Sequence, residues 1–144
     1  MIFTNEVALP YLLKKPTCSK YYLMYTATPI QIQENLIKDL IEKKEITLID
    51  VRDIREIWKE GTIADAKHIP RGMLEFWLDP ESSYYKANKI KDLKKMVLFC
   101  ALGLRSALAT KSLVDMGFKN VAHVDGGFDA LRKSGFQVVQ KEKK

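Results

Sequence analysis

In the stretch VLFCALGLRSALA, Val97 to Ala109, a strand-like apolar run gives way to a helical one. A single cysteine, Cys100, stands at the change, with Arg105 five residues on. A cysteine does chemistry as its thiolate, and a thiolate needs an electropositive setting. A helix start supplies one, because its first amides lack intrahelical partners and the helix dipole is positive there. Both stabilise an anion held close to them, so a thiolate at this place ionises more easily than a free thiol. Between Cys100 and Arg105 lie Ala101, Leu102, Gly103 and Leu104, and Gly103 lets the loop curl so that successive amides point inward. Arg105 adds a permanent charge and planar donors able to hold the loop or an anionic substrate. A lone cysteine is ordinarily a small buried apolar residue, and the spacing to arginine is common by chance. Strand end, glycine and helix start together point to a nucleophile.

The elements that must position this loop are legible as alternating periods. Thr28-Pro29-Ile30-Gln31 has the form of a capping box, and apolar residues at helical spacing extend the expected helix over 29–44. Residues 46–51 read as a buried strand, residues 54–58 as a short helical face stopped by Gly61, and residues 66–70 as a further short strand. Leu74 to Leu78 predicts a brief helix, and Ser82 to Lys95 a polar surface helix and loop. Met96 to Phe99 is a strand, Arg105 to Met116 a helix capped by Gly117, and Val121 to Val124 the last strand. Gly126-Gly127 then turns the chain into a final helix, Phe128 to Lys133. Strands alternating with helices predict an α/β fold with a parallel sheet covered on both faces. In such sheets the reactive edge is the carboxyl end of the strands, where Cys100 lies.

At 144 residues, with 47% hydrophobic and 29% charged residues, the chain reads as one soluble globular domain. No apolar run reaches the roughly 18 residues of a spanning helix, so no membrane partner is expected. Of the net charge of +6, residues 1–28 carry +2 and residues 133–144 carry +3, which leaves +1 for the rest. The basicity belongs to the ends and reads as solvated tails, not as a nucleic-acid footprint. Two cysteines, Cys18 and Cys100, are too few for a disulfide framework and point to a reducing compartment such as the cytoplasm. Residues 1–23 read as an N-terminal extension without the pattern of a secretory signal, and organelle targeting by them stays open. The domain then runs over 24–137, with a basic C-terminal tail over 138–144.

Four stretches in order, LIDVRD (48–53), KHIPRGMLEF (67–76), CALGLRSALA (100–109) and VDGGFDALRKSG (124–135), resemble the single-domain rhodanese family of sulfurtransferases. That resemblance implies a five-stranded parallel sheet with helices on both faces and a nucleophile, Cys100, in the loop Cys100–Arg105. It implies a ping-pong reaction, in which thiosulfate or a persulfide gives its outer sulfur to Cys100 and the cysteine persulfide hands it to a thiol or other acceptor. No metal or organic cofactor is implied, and with only His68 and His123 as histidines a metal site has little to draw on. Asp50 and Arg52 match the family's aspartate and arginine at this edge, with the implied role of bracing the loop, although an ordinary ion pair at a strand end explains them equally well. His68 and His123 lie in strands, and either could serve as a base or simply be structural.

Two departures bear on the substrate. Family members often carry Gly-His-Ile where this chain has Gly61-Thr62-Ile63. Their thiosulfate-using loops often carry polar residues, whereas Ala101, Leu102 and Leu104 make an apolar rim that suits a bulkier or protein-borne sulfur carrier as well as thiosulfate. Two other readings compete with sulfur transfer. Cysteine phosphatases and arsenate reductases also close a cysteine loop with arginine, but usually with Cys-x5-Arg; here the spacing is Cys-x4-Arg, and Phe99 stands where a histidine is usual. A non-catalytic binding module on the same fold would generally have lost the cysteine.

Overall fold

The computed structural model describes residues 2–3, 37–90, 93 and 95–143. The Thr28–Gln31 cap, Cys18, Met24 and the first part of the helix expected over 29–44 lie outside the described residues. In chain order come β1 (Ile2–Phe3), a helix over residues 37–42 (α1), β2 (Ile46–Asp50), α2 (Ile54–Glu60), β3 (Thr62–Ile63) and β4 (Lys67–His68). A 3-10 turn (Arg71–Met73) then leads into α3 (Leu74–Leu78), followed by α4 (Ala87–Ile90), β5 (Lys95–Phe99), α5 (Leu104–Asp115), β6 (Val121–His123), α6 (Gly127–Lys133) and β7 (Val138–Val139).

Among the described residues the main sheet has five strands, in the order β1-β6-β5-β2-β4. Neighbours among β4, β2, β5 and β6 are parallel, with Asp50 opposite His68 and Phe99, and Leu98 opposite His123. Alternation along these strands sorts their side chains into two cores. Ile46, Leu48, Val97, Phe99 and Ala122 face one side with Ile37, Phe128 and Leu131. Ile49, Val51, Met96, Leu98, Cys100 and Val121 face the other with Leu74, Leu78, Ala109 and Leu113. The same alternation therefore points Cys100 at α5. Truncating one of these fully buried side chains, Leu98→Ala for example, removes about 2–5 kcal/mol of stability.

The sheet differs from an all-parallel one at its edge. Ile2–Phe3, from the segment read as an extension, pairs antiparallel with β6. A second, two-stranded sheet joins β3 antiparallel to β7, so the stretch read as a C-terminal tail begins as a strand. Gly61 permits this packing: at φ 77°, a Cβ there would stand 2.7 Å from the Val139 carbonyl oxygen. Ile2–Phe3, Thr62–Ile63 and Val138–Val139 are each too short to show a period in sequence. Among the described residues, no helix is long and apolar enough to cross a membrane.

Candidate active site

Where β5 ends, Cys100 is 1% exposed and points toward the start of α5. Gly103 is the N-cap of α5, at φ 104°, and has no side chain with which to cap it. The Cys100 sulfur takes over that task. Its Sγ accepts the Gly103 amide at 3.1 Å and the Ser106 amide, in the first turn, at 3.4 Å. A serine or aspartate at the cap would normally accept such an amide. The amides that stabilise a helix cap are thus the ones that would stabilise a sulfur anion. Around the rim, Leu102 and Leu104 are more than half exposed, as the apolar loop composition anticipated.

The loop rests on the start of α6. Phe128 N donates to the Cys100 carbonyl at 2.7 Å, and Asp129 N to the Ala101 carbonyl at 3.2 Å. Gly127 makes this approach possible, because at φ 60° a Cβ there would lie 2.8 Å from the Ala101 carbonyl carbon and oxygen. The sequence marked Gly126-Gly127 only as a turn, and the second glycine is in fact the floor of the loop.

Arg105 closes the loop with its guanidinium shared between Glu56 and the Cys100 sulfur. Its Nη1 and Nη2 donate to Glu56 Oε2 and Oε1 at 2.7 and 2.8 Å. Glu56 is also the reciprocal partner in the Asp53 capping box of α2, accepting the Asp53 amide at 3.0 Å. The bond from Arg105 lowers the Glu56 carboxyl below its ordinary range, and Glu56 in turn, with a smaller part from Cys100, raises Arg105 above its own. Sequence reasoning missed Glu56, although Asp53-x-x-Glu56 is a legible capping pattern.

Asp50 and Arg52, expected to brace the loop from behind, form a buried cluster of their own. Both are buried, and Arg52 grips Asp50 through Nε at 3.1 Å and Nη2 at 2.8 Å. Arg52 also donates to the Gly61 carbonyl at 2.7 Å and to Glu60 at 3.2 Å. Thr62 fills the place of the family's frequent histidine, and its hydroxyl donates to Asp50 Oδ2 at 2.7 Å. The cluster therefore secures the turn from α2 into β3. Its link to the loop is one step removed: the Arg52 guanidinium lies 3.9 Å from the centroid of the Phe128 ring, and Phe128 N holds Cys100.

The two histidines part company. His68 is half-buried on β4, and its Nε2 is 2.8 Å from the Arg52 carbonyl oxygen. His123 is fully buried beside β5, and its Nδ1 lies 3.3 Å from Ser106 Oγ. Burial pushes the His123 imidazole down to about 3, so it is neutral at pH 7. Ser106, also missed in sequence, has its hydroxyl oxygen 3.5 Å from the Cys100 sulfur. Among the described residues, no group of three or more His, Cys, Asp or Glu could hold a metal ion.

The rhodanese-like domain profile matches residues 34–134. Thiosulfate sulfurtransferase/rhodanese-like domain-containing protein 3 of Mus musculus is 30% identical over 108 residues, covering 72% of this chain and 69% of its own. Thiosulfate sulfurtransferase GlpE of Coxiella burnetii is 32% identical over 94 residues, covering 65% of this chain and 78% of its own. Among solved structures, a protein of unknown function from Rhodopseudomonas palustris, called a possible tyrosine phosphatase, is 46% identical with a TM-score of 0.66. That match covers 79% of this chain and 81% of the other. The human single-domain sulfurtransferase TSTD1 is 26% identical with a TM-score of 0.60, covering 69% of this chain and 91% of its own.

Proposed function

This chain belongs to the rhodanese-like domain family, and we propose that it is a sulfurtransferase working through a persulfide on Cys100. The observation that carries the reading is the cysteine sulfur seated on the Gly103 and Ser106 amides at the start of α5. In the first half-reaction the Cys100 thiolate attacks the outer sulfur of thiosulfate or of a donor persulfide. A new S–S bond forms, the donor's bond to that sulfur breaks, and sulfite or the donor thiolate leaves with the electron pair. The bound persulfide is itself anionic and benefits from the same amides. In the second half-reaction an acceptor thiolate or cyanide attacks the terminal sulfur, and Cys100 leaves as thiolate. No external oxidant or cofactor enters the balance. The exposed Leu102 and Leu104 favour a donor or acceptor with an apolar body, a small molecule or a protein sulfur carrier.

A second reading, a cysteine phosphatase, draws support from the likeness to the Rhodopseudomonas protein. Two features weigh against it. The loop is one residue shorter than a tetrahedral oxyanion ordinarily requires, and both Nη groups of Arg105 are already held by Glu56. Intact mass after thiosulfate treatment tests the reading. One added sulfur on the wild type, removable by cyanide and absent from Cys100→Ser, is expected. Turnover of an aryl phosphate without sulfur loading would overturn it.

A further inference from the structure

Behind Cys100 lie two buried polar side chains that the amide cradle does not require, Ser106 and His123, both 0% exposed. They arrive from different elements. Ser106 sits in the first turn of α5, and His123 ends β6, the strand beside β5. Thr110, one turn beyond Ser106, fixes their approach by donating to the Ser106 carbonyl at 2.8 Å, with the Ala122 carbonyl 3.4 Å from the same hydroxyl oxygen.

The Ser106 oxygen has three polar neighbours: Cys100 Sγ at 3.5 Å, the Gly103 carbonyl at 3.2 Å and His123 Nδ1 at 3.3 Å. A hydroxyl owns one proton and accepts up to two. A carbonyl oxygen only accepts, and so does an anionic sulfur. If Nδ1 were also an acceptor, three buried acceptors would compete for one proton, an arrangement that leaves lone pairs facing each other unpaired. The network closes around an anionic sulfur only when Nδ1 bears the proton. Nδ1–H then donates to Ser106 Oγ, and the hydroxyl proton is free for the sulfur. The Gly103 carbonyl is not left empty, since it also accepts the Ala107 amide at 3.2 Å.

We propose that His123 is a positioning residue whose neutral Nδ1–H tautomer turns the Ser106 hydroxyl onto the Cys100 sulfur when that sulfur is anionic. In the thiol state the same tautomer serves. Cys100 S–H and His123 Nδ1–H both donate to Ser106 Oγ, and the hydroxyl proton goes to the Gly103 carbonyl. Loss of the thiol proton to solvent or to a donor's leaving group therefore requires only one rotation, that of the Ser106 hydroxyl. His123 is not the base, because burial keeps it neutral well below pH 7. The proposal rests on the persulfide reading only for why an anionic sulfur matters.

The test separates the two. Long-range 1H–15N spectra of the wild type, with the His123 signals assigned by comparison with His68→Gln, read the tautomer directly. A protonated Nδ1 and bare Nε2 at pH 7 are expected, whereas a bare Nδ1 or an imidazolium would overturn the proposal. Alkylation of Cys100 by iodoacetamide at pH 7, in a Cys18→Ser background, supplies the second measurement. His123→Leu is expected to slow it by roughly 3–10-fold, the worth of one hydrogen bond, and His123→Asn, which keeps a donor, to slow it less. In a Ser106→Ala background His123→Leu is expected to add nothing. An equal slowing with and without Ser106, in variants that melt as folded proteins, would show that His123 does not act through it. A protein that passed both measurements yet never loaded sulfur would keep this relay and lose the sulfurtransferase reading.

Discussion

Glu56 and Arg105 are joined by two hydrogen bonds of 2.7 and 2.8 Å, and they bind the first turn of α2 to the first turn of α5 across 49 residues of chain. The bond fixes the closing residue of the Cys100 loop while also neutralising it. Stabilisation of an anion in the loop is thus shared between the Gly103 and Ser106 amides and the Arg105 charge, which Glu56 holds in place as a strut. Glu56→Gln keeps the shape but removes the charge that aligns the guanidinium. We expect sulfur transfer to fall roughly tenfold, about 1.4 kcal/mol of transition-state stabilisation. Because the pair is partly exposed, unfolding free energy should change by only about 0.2–1 kcal/mol. Steady-state rates and urea melts on one preparation check both halves. A rate equal to wild type would show that the strut is dispensable.

Gly127 is expected to be the most sensitive glycine among those flanking helices. Alanine there must adopt φ 60° and also displace the Ala101 carbonyl that Asp129 N holds. Gly117 has a similar positive φ, of 100°, but nothing lies within 4 Å of its missing Cβ. Gly117→Ala thus carries the backbone term alone, about 1–2 kcal/mol. Gly127→Ala should lose clearly more stability and also slow Cys100 alkylation, which Gly117→Ala should not. Equal melting temperatures for the two would mean that the loop floor yields freely.

Acid should destabilise the fold partly through His123. Its folded value of about 3 lies below the ordinary 6.5, so between those values the unfolded chain binds a proton that the folded chain refuses. Stability from this group is complete above the unfolded value and falls as pH drops below it, by up to about 1.4 kcal/mol per pH unit. From pH 7 to pH 5 the wild type should lose about 2 kcal/mol more than His123→Leu does. Urea titrations at the two pH values measure the difference, and parallel losses would refute the assignment.

The Asp50–Arg52 pair should govern stability much more than chemistry. Both are essentially inaccessible, and removing one partner of a buried pair typically costs about 3–5 kcal/mol. Arg52→Met strands the Asp50 carboxylate, and Thr62→Val removes one further donor at a cost of about 1–3 kcal/mol. Fully folded protein from either variant should still be alkylated at Cys100 within a few-fold of wild type, roughly the worth of one weak contact. A collapse of reactivity in folded Arg52→Met would show that the stacking on Phe128 reaches the sulfur after all.

What could be read from the chain divides by physical range. β2, β5 and α5 are long enough for periodicity, and their expected limits fall within a residue of the observed ones. The placement of Cys100 at a strand end facing a helix start followed from them, as did the apolar rim. β1, β3, β4 and β7 have two residues each and no period to detect, and of these β4 alone was expected, over the longer stretch 66–70. Glu56 announced its local role in Asp53-x-x-Glu56, but its hold on Arg105 depends on how α2 and α5 converge. The approach of His123 to Ser106 depends on β6 lying beside β5, a fact of sheet order that neither segment carries by itself. Asp50 and Arg52 were placed at the carboxyl edge, but their bonds to Gly61 and Thr62 were not legible, since those partners meet them only once α2 returns the chain to Gly61.

Loop length offers the sharpest discrimination between sulfur and phosphate chemistry. The Cys100 sulfur caps α5 by accepting Gly103 N and Ser106 N, and Ser106 reaches it because only Leu104 and Arg105 separate it from Gly103. A glycine inserted between Gly103 and Leu104 gives the Cys-x5-Arg spacing. Either the helix start shifts by about 100° of turn, carrying the Ser106 amide off the sulfur, or the loop widens to keep α5 in place. In both cases a single sulfur loses a close donor, while a larger tetrahedral anion gains room. We expect thiosulfate:cyanide transfer to fall at least ~10-fold, on the order of 1.4 kcal/mol, with phosphate or arsenate binding improved. The two measurements belong on one preparation whose melt shows a folded protein. Unchanged transfer with no gain in oxyanion binding would mean that ring size does not select the chemistry, and the argument against a phosphatase would then rest on Arg105 and Glu56 alone.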